Sequence, residues 1–141
     1  MPIRPELRWF YPIDWTELSR LIRFGRARGR CETCGRPHGT ELLCLRDGQW
    51  FDPELDHWRD GRGRRMPAPA PEQAAQARRT RVVLAAAHLD HNPANNHHRN
   101  LRSLCQRCHM LHDRPHHLAQ RRITYRRRWA LGDLFTGPYW P

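Results

Sequence analysis

The stretch AHLDHNPANNHHRNLRSLCQRCHMLHD, residues 87–113, decides the fold. The apolar, partly β-branched run at residues 80–88 predicts a buried strand leading into a polar loop, and residues 101–104 predict a second short strand. Helical spacing follows from residue 106 to residue 113. Pro115 suits the first turn of a further, arginine-rich helix over residues 116–131. The order strand, loop, strand, helix predicts the α+β class.

Two cysteine pairs share the C-x-x-C spacing, Cys31/Cys34 and Cys105/Cys108. This spacing lets both sulfurs of a pair point at one centre, so four thiolates predict a tetrahedral structural zinc. The metal would join the N-terminal knuckle to the C-terminal strand and helix. Four unrelated buried thiols are the alternative. Cys44 lies in an apolar run and is predicted to be a small buried hydrophobe.

Asp90 and His91 lie at the predicted corner between strand and loop. Adjacent side chains there point in different directions and can have different roles. Asp90 could hold a hard divalent cation while His91 takes a proton from water, and His109 could supply a second ligand. An ordinary strand-end pair without chemistry is the alternative.

These residues resemble the HNH endonuclease family in its four-cysteine form, which has a zinc-stapled ββα-metal (His-Me finger) core and occurs in phages and bacteria. The matching elements are Asp-His at 90–91, Asn-Leu at 100–101 and Cys-x-x-Cys-His at 105–109, with the other cysteine pair upstream. The resemblance covers residues 11–135 apart from an insertion. It implies a ββα core flanked by N- and C-terminal helices.

The resemblance also implies roles. His91 would be the general base, and Asp90 with His109 would ligate a catalytic Mg²⁺ or another divalent cation such as Mn²⁺. Asn100 would hold the loop so that His91 is aimed correctly, and the cysteine-bound zinc would take no part in the reaction. The implied reaction is hydrolysis of DNA phosphodiester bonds. His88 and Asp113 are further candidates for the catalytic metal, and the sequence leaves both open.

Charge favours a polyanionic partner. The chain has 141 residues, a formal net charge of +11 and a pI of about 11.0. All its 25 basic residues are arginines, whose forked guanidinium groups bind phosphate bidentately. We expect DNA contacts mainly to the phosphate backbone, with weak sequence preference unless a protein partner supplies targeting. The arginines beside the motif are the candidates for these contacts: Arg99, Arg102, Arg107 and Arg114.

The rest of the chain predicts one domain over residues 1–141. Asp14 and Glu17 suggest a capped amphipathic helix over residues 14–24, and two short strands are expected around the turn Asp47-Gly48. Residues 53–79, rich in Arg, Gly, Pro and Ala, are predicted to be a mobile surface insertion.

No apolar run reaches the length of a membrane span, and the N-terminus lacks a signal-peptide pattern. The sequence therefore predicts a cytoplasmic protein of a bacterial cell or a phage-infected host, without a membrane partner. A zinc-stapled nucleic-acid-binding module that does not cleave, or an accessory subunit of a larger phage or defence complex, remains the alternative to an endonuclease. The DNA target, nicking against double-strand cleavage, and the oligomeric state stay open.

Overall fold

The computed structural model of this chain describes residues 5–128. Its element order is mixed α and β. A 3-10 helix precedes α1, and a π-helix follows it at Leu21–Arg26. The elements are α1 (Trp15–Arg20), β1 (Glu41–Cys44), β2 (Trp50–Asp52), β3 (His57–Arg59), β4 (Arg65–Met66), α2 (Pro71–Ala74), β5 (Arg78–Arg81), β6 (Leu84–His88), β7 (Leu101–Cys105) and α3 (Gln106–Arg128).

Where the sequence predicts one domain, the chain divides into two compact units between Met110 and Leu111, a point inside α3. The first unit contains both sheets and all the cysteines. Within the described residues, the second unit consists of α3 from Leu111 onward. None of the helices within residues 5–128 has the length and apolar character needed to cross a membrane.

The larger sheet has five strands in the order β4-β3-β2-β1-β5, and each neighbouring pair is antiparallel. The predicted strands around Asp47-Gly48 are confirmed as β1 and β2. Gly48 has a φ of 99°, a left-handed conformation that glycine adopts without steric cost. The Asp47 carboxylate accepts a hydrogen bond from the backbone N–H of Gln49 at 2.9 Å and fixes the turn.

Residues 53–79, which the sequence predicts to be a mobile surface insertion, contain regular secondary structure. They contribute β3, β4 and β5 to the five-stranded sheet. Contacts outside the strand ladders also attach the segment to its surroundings. Arg59 Nε donates to the buried Asp52 carboxylate at 2.8 Å, and Gly63 lies against the backbone carbonyl of Cys34. Pairing between strands and these few contacts organise a segment that offers little apolar surface of its own.

Gly63→Ala tests this attachment. Gly63 has a φ of +85°, and a Cβ there would stand 2.5 Å from the carbonyl oxygen of Cys34, which is backbone and cannot turn away. We expect a loss of about 2–4 kcal/mol in the free energy of unfolding, from left-handed strain plus overpacking. Urea denaturation measures it.

Gly39→Ala is the matched control. Gly39 has a similar φ of +75°, but a Cβ there would meet nothing within 4 Å. Its cost should be the backbone strain alone, about 1 kcal/mol. Equal losses in the two variants would contradict the close packing of Gly63 on the cysteine knuckle.

The second sheet is a hairpin of β6 and β7, in which Leu84 is opposite Cys105 and His88 is opposite Leu101. The predicted strand over residues 80–88 is interrupted at Val82-Val83, because the chain leaves the larger sheet there and enters the hairpin. The predicted strand over residues 101–104 is confirmed as β7. Strand β7 runs directly into α3, so the expected order of strand, loop, strand and helix is present.

Two helix predictions need correction. The predicted helix over residues 14–24 is α-helical only over α1 and then continues as the π-helix, and Asp14 makes no side-chain capping bond. The predicted break before Pro115 is absent, because α3 is continuous from Gln106 to Arg128 with Pro115 inside it. Proline at an interior position lacks the N–H for the bond to the preceding turn, but α3 accommodates it. Residues 129–131 of the predicted second helix lie outside the described residues.

The core is one cluster, formed by apolar residues of both sheets and by the two cysteine pairs. Trp50 is fully buried at its centre, and Leu42, Val82, Leu84 and Leu104 are packed in the same cluster. Cys44 is partly buried against this cluster, as predicted for a small hydrophobe. Burial raises the pKa of the Cys44 thiol.

Candidate metal centre and histidine loop

The four predicted zinc ligands lie together in the first unit. Cys31 and Cys34 belong to the N-terminal knuckle, Cys105 ends β7, and Cys108 lies in the first turn of α3. All four are buried, and their sulfurs lie within 4.8 Å of one another. The sulfurs of Cys34 and Cys105 are 3.6 Å apart. Tetrahedral zinc with bonds of about 2.3 Å requires sulfur separations of about 3.8 Å, so the donor set fits the ion.

The knuckle is formed by local backbone bonds. Gly35 N–H donates to the Cys31 carbonyl at 2.8 Å, Cys31 N–H donates to the Arg36 carbonyl at 3.0 Å, and Gly35 adopts a φ of 77°. Glu32 N–H donates to the Ser103 carbonyl of β7 at 2.9 Å, which sets the knuckle beside the strand that carries Cys105. The two halves of the site are therefore aligned by main-chain bonds.

Hydrogen bonds among the four thiols lower the pKa values of two of them and raise the pKa values of the other two. The bond with Cys108 is the largest cause that lowers the pKa of Cys105, and the same bond raises that of Cys108. The bond with Cys105 opposes ionisation of Cys31, but bonds with Cys108 and Cys34 outweigh it and lower the pKa of Cys31 to about 6. The bond with Cys105 raises the pKa of Cys34. Four thiols this close share their protons, and Zn²⁺ would displace those protons when it binds.

The loop between β6 and β7 is organised around the Asp90 carboxylate. Asp90 and Asn100 exchange two bonds: Asp90 N–H donates to Asn100 Oδ1 at 3.1 Å, and Asn100 Nδ2 donates to Asp90 Oδ1 at 2.8 Å. Asn95 Nδ2 donates to Asp90 Oδ2 at 2.7 Å. The backbone N–H of Asn92, then the amides of Asn100 and Asn95, lower the pKa of Asp90 to about 2. The Asp90 carboxylate is therefore ionised at neutral pH, and hydrogen bonds from the loop hold it in place.

The predicted cation ligands, Asp90 and His109, come from different elements, the loop between β6 and β7 and helix α3. Among residues 5–128, Asp90, His91 and His109 do not form a set whose ligand atoms all lie within 4.8 Å of one another. Both Asp90 oxygens accept loop hydrogen bonds. His91 has a φ of 58°, a left-handed backbone conformation that histidine adopts more often than most residues other than glycine. His109 is half-buried in the first turn of α3.

His88, at the end of β6, is held in one orientation. Its ring stacks on Trp15 at 5.1 Å with an interplanar angle of 14°, and Tyr11 contacts it edge-on at 5.6 Å. His88 Nε2 lies 2.9 Å from Asn96 Oδ1. Asn96 Nδ2 donates to the Pro93 carbonyl, so Oδ1 is the atom that faces the imidazole. Because Oδ1 only accepts, Nε2 carries the proton, and Nδ1 of neutral His88 is left as the basic nitrogen.

The four predicted DNA-contacting arginines have different surroundings. Arg99 and Arg102 are exposed in the first unit, and Arg114 is exposed on α3 in the second. Arg107 instead donates from Nη2 to the Asp47 carbonyl at 3.0 Å and covers Gly48. Its guanidinium therefore braces the turn between β1 and β2.

Arg26 organises the surroundings of the site through contacts that the sequence pattern does not predict. It donates to both Glu32 oxygens and to the carbonyls of His98 and Leu101. Glu32 in turn accepts from Ser103 N–H. The Arg26–Glu32 pair joins the π-helix, the knuckle and the end of the loop between β6 and β7, residues 89–100, which we call the histidine loop. Arginine at the end of a helix and glutamate six positions later carry no local pattern that would predict the contact.

No protein-family model, curated protein or solved structure matches the chain. The chain is a small α+β protein with a C-terminal helix and four buried cysteines placed to bind a structural zinc. The likeness to HNH endonucleases stays a prediction from the motif.

Proposed function

We propose that this chain is a metal-dependent DNA endonuclease that hydrolyses phosphodiester bonds. The observation that carries the proposal is the composition of one hairpin and one helical turn. Between His88 at the end of β6 and His109 in α3 lie the braced Asp90 anion and Asn100, and Cys105 and Cys108 attach the same segment to the knuckle. A zinc-clamped hairpin that carries a base, an anion and a further imidazole has the parts of a hydrolytic site.

In this proposal His91 takes the proton from the attacking water, and Asp90 and His109 hold a catalytic Mg²⁺ or Mn²⁺. A cation bound there would offset charge on the scissile phosphate and on the departing 3′ oxygen. Asn100 keeps the loop in place through its two bonds to Asp90. Asp90 Oδ2 accepts one hydrogen bond, from Asn95, so a lone pair of this oxygen can bind a cation while the loop bonds remain in place.

His88 is the rival candidate for the base. Its support is geometric: the hydrogen bond that His88 Nε2 donates to Asn96 Oδ1 fixes the tautomer, and the stack on Trp15 fixes the ring. A general base needs an unprotonated nitrogen held in a constant direction. The motif favours His91 as the general base, and the hydrogen bonding favours His88. Substituting each residue separately distinguishes the two.

DNA binding in this proposal rests on charge. Arg99 and Arg102 supply exposed guanidinium groups beside the loop, and the net charge of +11 favours a polyanion. Contacts of this kind weaken steeply as salt rises and carry no sequence information. Selection of a target would then fall to a protein partner.

Supercoiled plasmid tests the proposal directly. We expect the purified full-length chain to convert it to nicked or linear DNA with Mg²⁺ or Mn²⁺ and to leave it intact when EDTA chelates the cation. Protein loaded with zinc beforehand and used at once keeps the effect of EDTA on the catalytic cation separate from any loss of structural zinc, which circular dichroism follows. Intact plasmid with all divalent cations tried contradicts the endonuclease.

A zinc-stapled nucleic-acid-binding module, acting alone or as an accessory subunit, is the second candidate. The observation that favours it is that, among residues 5–128, Asp90, His91 and His109 do not form a set whose ligand atoms all lie within 4.8 Å of one another. A module of this type would retard the plasmid in a gel without cutting it. Retardation that disappears at high salt, with no cleavage product, would support this function over the first.

A further inference from the structure

The side chain of Arg36 is buried beside the cysteine cluster. Arg36 is 5% exposed. Its Nη1 lies 3.9 Å from the sulfur of Cys105, and its Nη2 donates to the Gly48 carbonyl at 2.9 Å. The guanidinium carbon stands 5.8 Å from the centre of the Trp50 ring. Three independent contacts therefore hold one cationic side chain in the core, with one N–H aimed at a cysteine sulfur.

A buried arginine requires electrostatic compensation. The guanidinium remains protonated in proteins, and burial of an unpaired charge costs several kcal/mol. Within residues 5–128, Arg36 forms no ion pair with a carboxylate, and its Nε has no hydrogen-bond partner. Arg59 shows the usual arrangement: it also stands over Trp50, at 5.7 Å, but it is paired with Asp52 at 2.8 Å.

The cysteine cluster can supply the missing counter-charge. Four thiolates around Zn²⁺ leave a net charge of −2, and this charge would be buried with its ligands. We propose that Arg36 is the counter-cation of a four-thiolate zinc centre and donates an N–H to the Cys105 sulfur. The two buried charges then stabilise each other, and the N–H fixes the direction in which Cys105 presents its lone pairs. This role concerns the zinc centre alone and does not depend on DNA cleavage.

Arg36→Met tests the assignment, because methionine keeps an unbranched apolar side chain and removes the charge and the N–H groups. We expect the zinc affinity of the full-length chain to fall by about 10–100-fold, the usual effect of losing a group bonded to a metal ligand. Competition against a chromophoric zinc chelator measures it. With Co²⁺ in place of zinc, the sulfur-to-cobalt charge-transfer band should move to longer wavelength, because Cys105 becomes more electron-rich without its N–H donor.

Arg59→Met is the matched control. It removes a second arginine from the Trp50 ring but takes away a partner of Asp52 rather than of a sulfur. We expect lower thermal stability with unchanged zinc affinity and an unmoved cobalt band. Arg36→Lys keeps the charge without the planar fork, and it should bind zinc more weakly than wild type but more tightly than Arg36→Met.

Wild-type zinc affinity and an unmoved cobalt band in Arg36→Met would overturn the proposal. If Arg36→Met does not fold even with excess zinc, Arg36→Lys decides. A shifted band and a reduced affinity in the lysine variant support the assignment, and wild-type values of both overturn it. Equal losses of zinc affinity in Arg36→Met and Arg59→Met would overturn it as well, because general destabilisation would then explain both.

Discussion

Cys105→Ser should leave the chain without stoichiometric zinc and without a cooperative thermal unfolding transition. Cys105 touches both halves of the site: it ends β7, and its sulfur lies 3.6 Å from that of Cys34 in the knuckle. A structural zinc contributes on the order of 10 kcal/mol to folding at neutral pH, which is comparable to the whole net stability of a typical domain. Metal analysis and circular dichroism during heating measure the two effects. Prolonged chelation should unfold the wild-type chain in the same way.

Cys44→Ser is the control within the same sequence. Cys44 is also a free, partly buried thiol packed against the core, but it lies outside the cluster of four. Its replacement should cost about 1 kcal/mol, as expected when a small apolar group in the core becomes polar, and leave zinc stoichiometry unchanged. A folded, cooperative Cys105→Ser protein would mean that the four sulfurs are a packed cluster of thiols.

The parts of the fold that sequence predicts are those fixed by neighbours in the chain. The turn at Asp47-Gly48 is set by the left-handed φ of Gly48 and by the hydrogen bond that the backbone N–H of Gln49 donates to the Asp47 carboxylate. The two cysteine pairs are set by spacing, since each pair needs only a short turn to point two sulfurs at one centre. The hairpin of β6 and β7 follows from two apolar runs on either side of a polar loop.

What sequence does not predict depends on partners distant in the chain or on loop geometry. Residues 53–79 have the composition of a disordered segment, yet Gly63 fits against Cys34 and Arg59 pairs with Asp52. The sequence predicts that Arg107 contacts a DNA phosphate, and only the folded structure shows that its guanidinium covers Gly48. Local patterns contain no information on such pairs.

The histidine loop shows the same limit at the candidate site. The motif places Asp90 and Asn100 ten positions apart, and the structure joins them by two hydrogen bonds that spacing alone cannot predict. The orientation of His88 depends on Trp15 and Asn96, which lie in an N-terminal helix and in the loop. Which imidazole is the base is therefore a question of side-chain geometry, and motif position cannot answer it.

His91→Ala should lower the rate of plasmid cleavage by about 10²–10⁴-fold, the usual contribution of a general base. Folding and DNA affinity should remain close to wild type, because the His91 imidazole is outside the zinc cluster. His98→Ala, in the same loop and exposed, is the control and should cut normally. Cleavage rates under single-turnover conditions and gel retardation without added Mg²⁺ or Mn²⁺ separate the chemical step from binding.

The opposite outcome would transfer the role to His88. If His91→Ala cuts at the wild-type rate while His88→Ala does not, the tautomer argument becomes the decisive one, and Asn96→Ala should also cut slowly. In Asn96→Ala the His88 ring keeps its stack on Trp15 but loses the 2.9 Å bond that holds the proton on Nε2. Slow cleavage with normal thermal stability in that variant would identify Asn96 as a positioning residue for a base at His88. Full activity in all three variants would remove the histidine base from the mechanism.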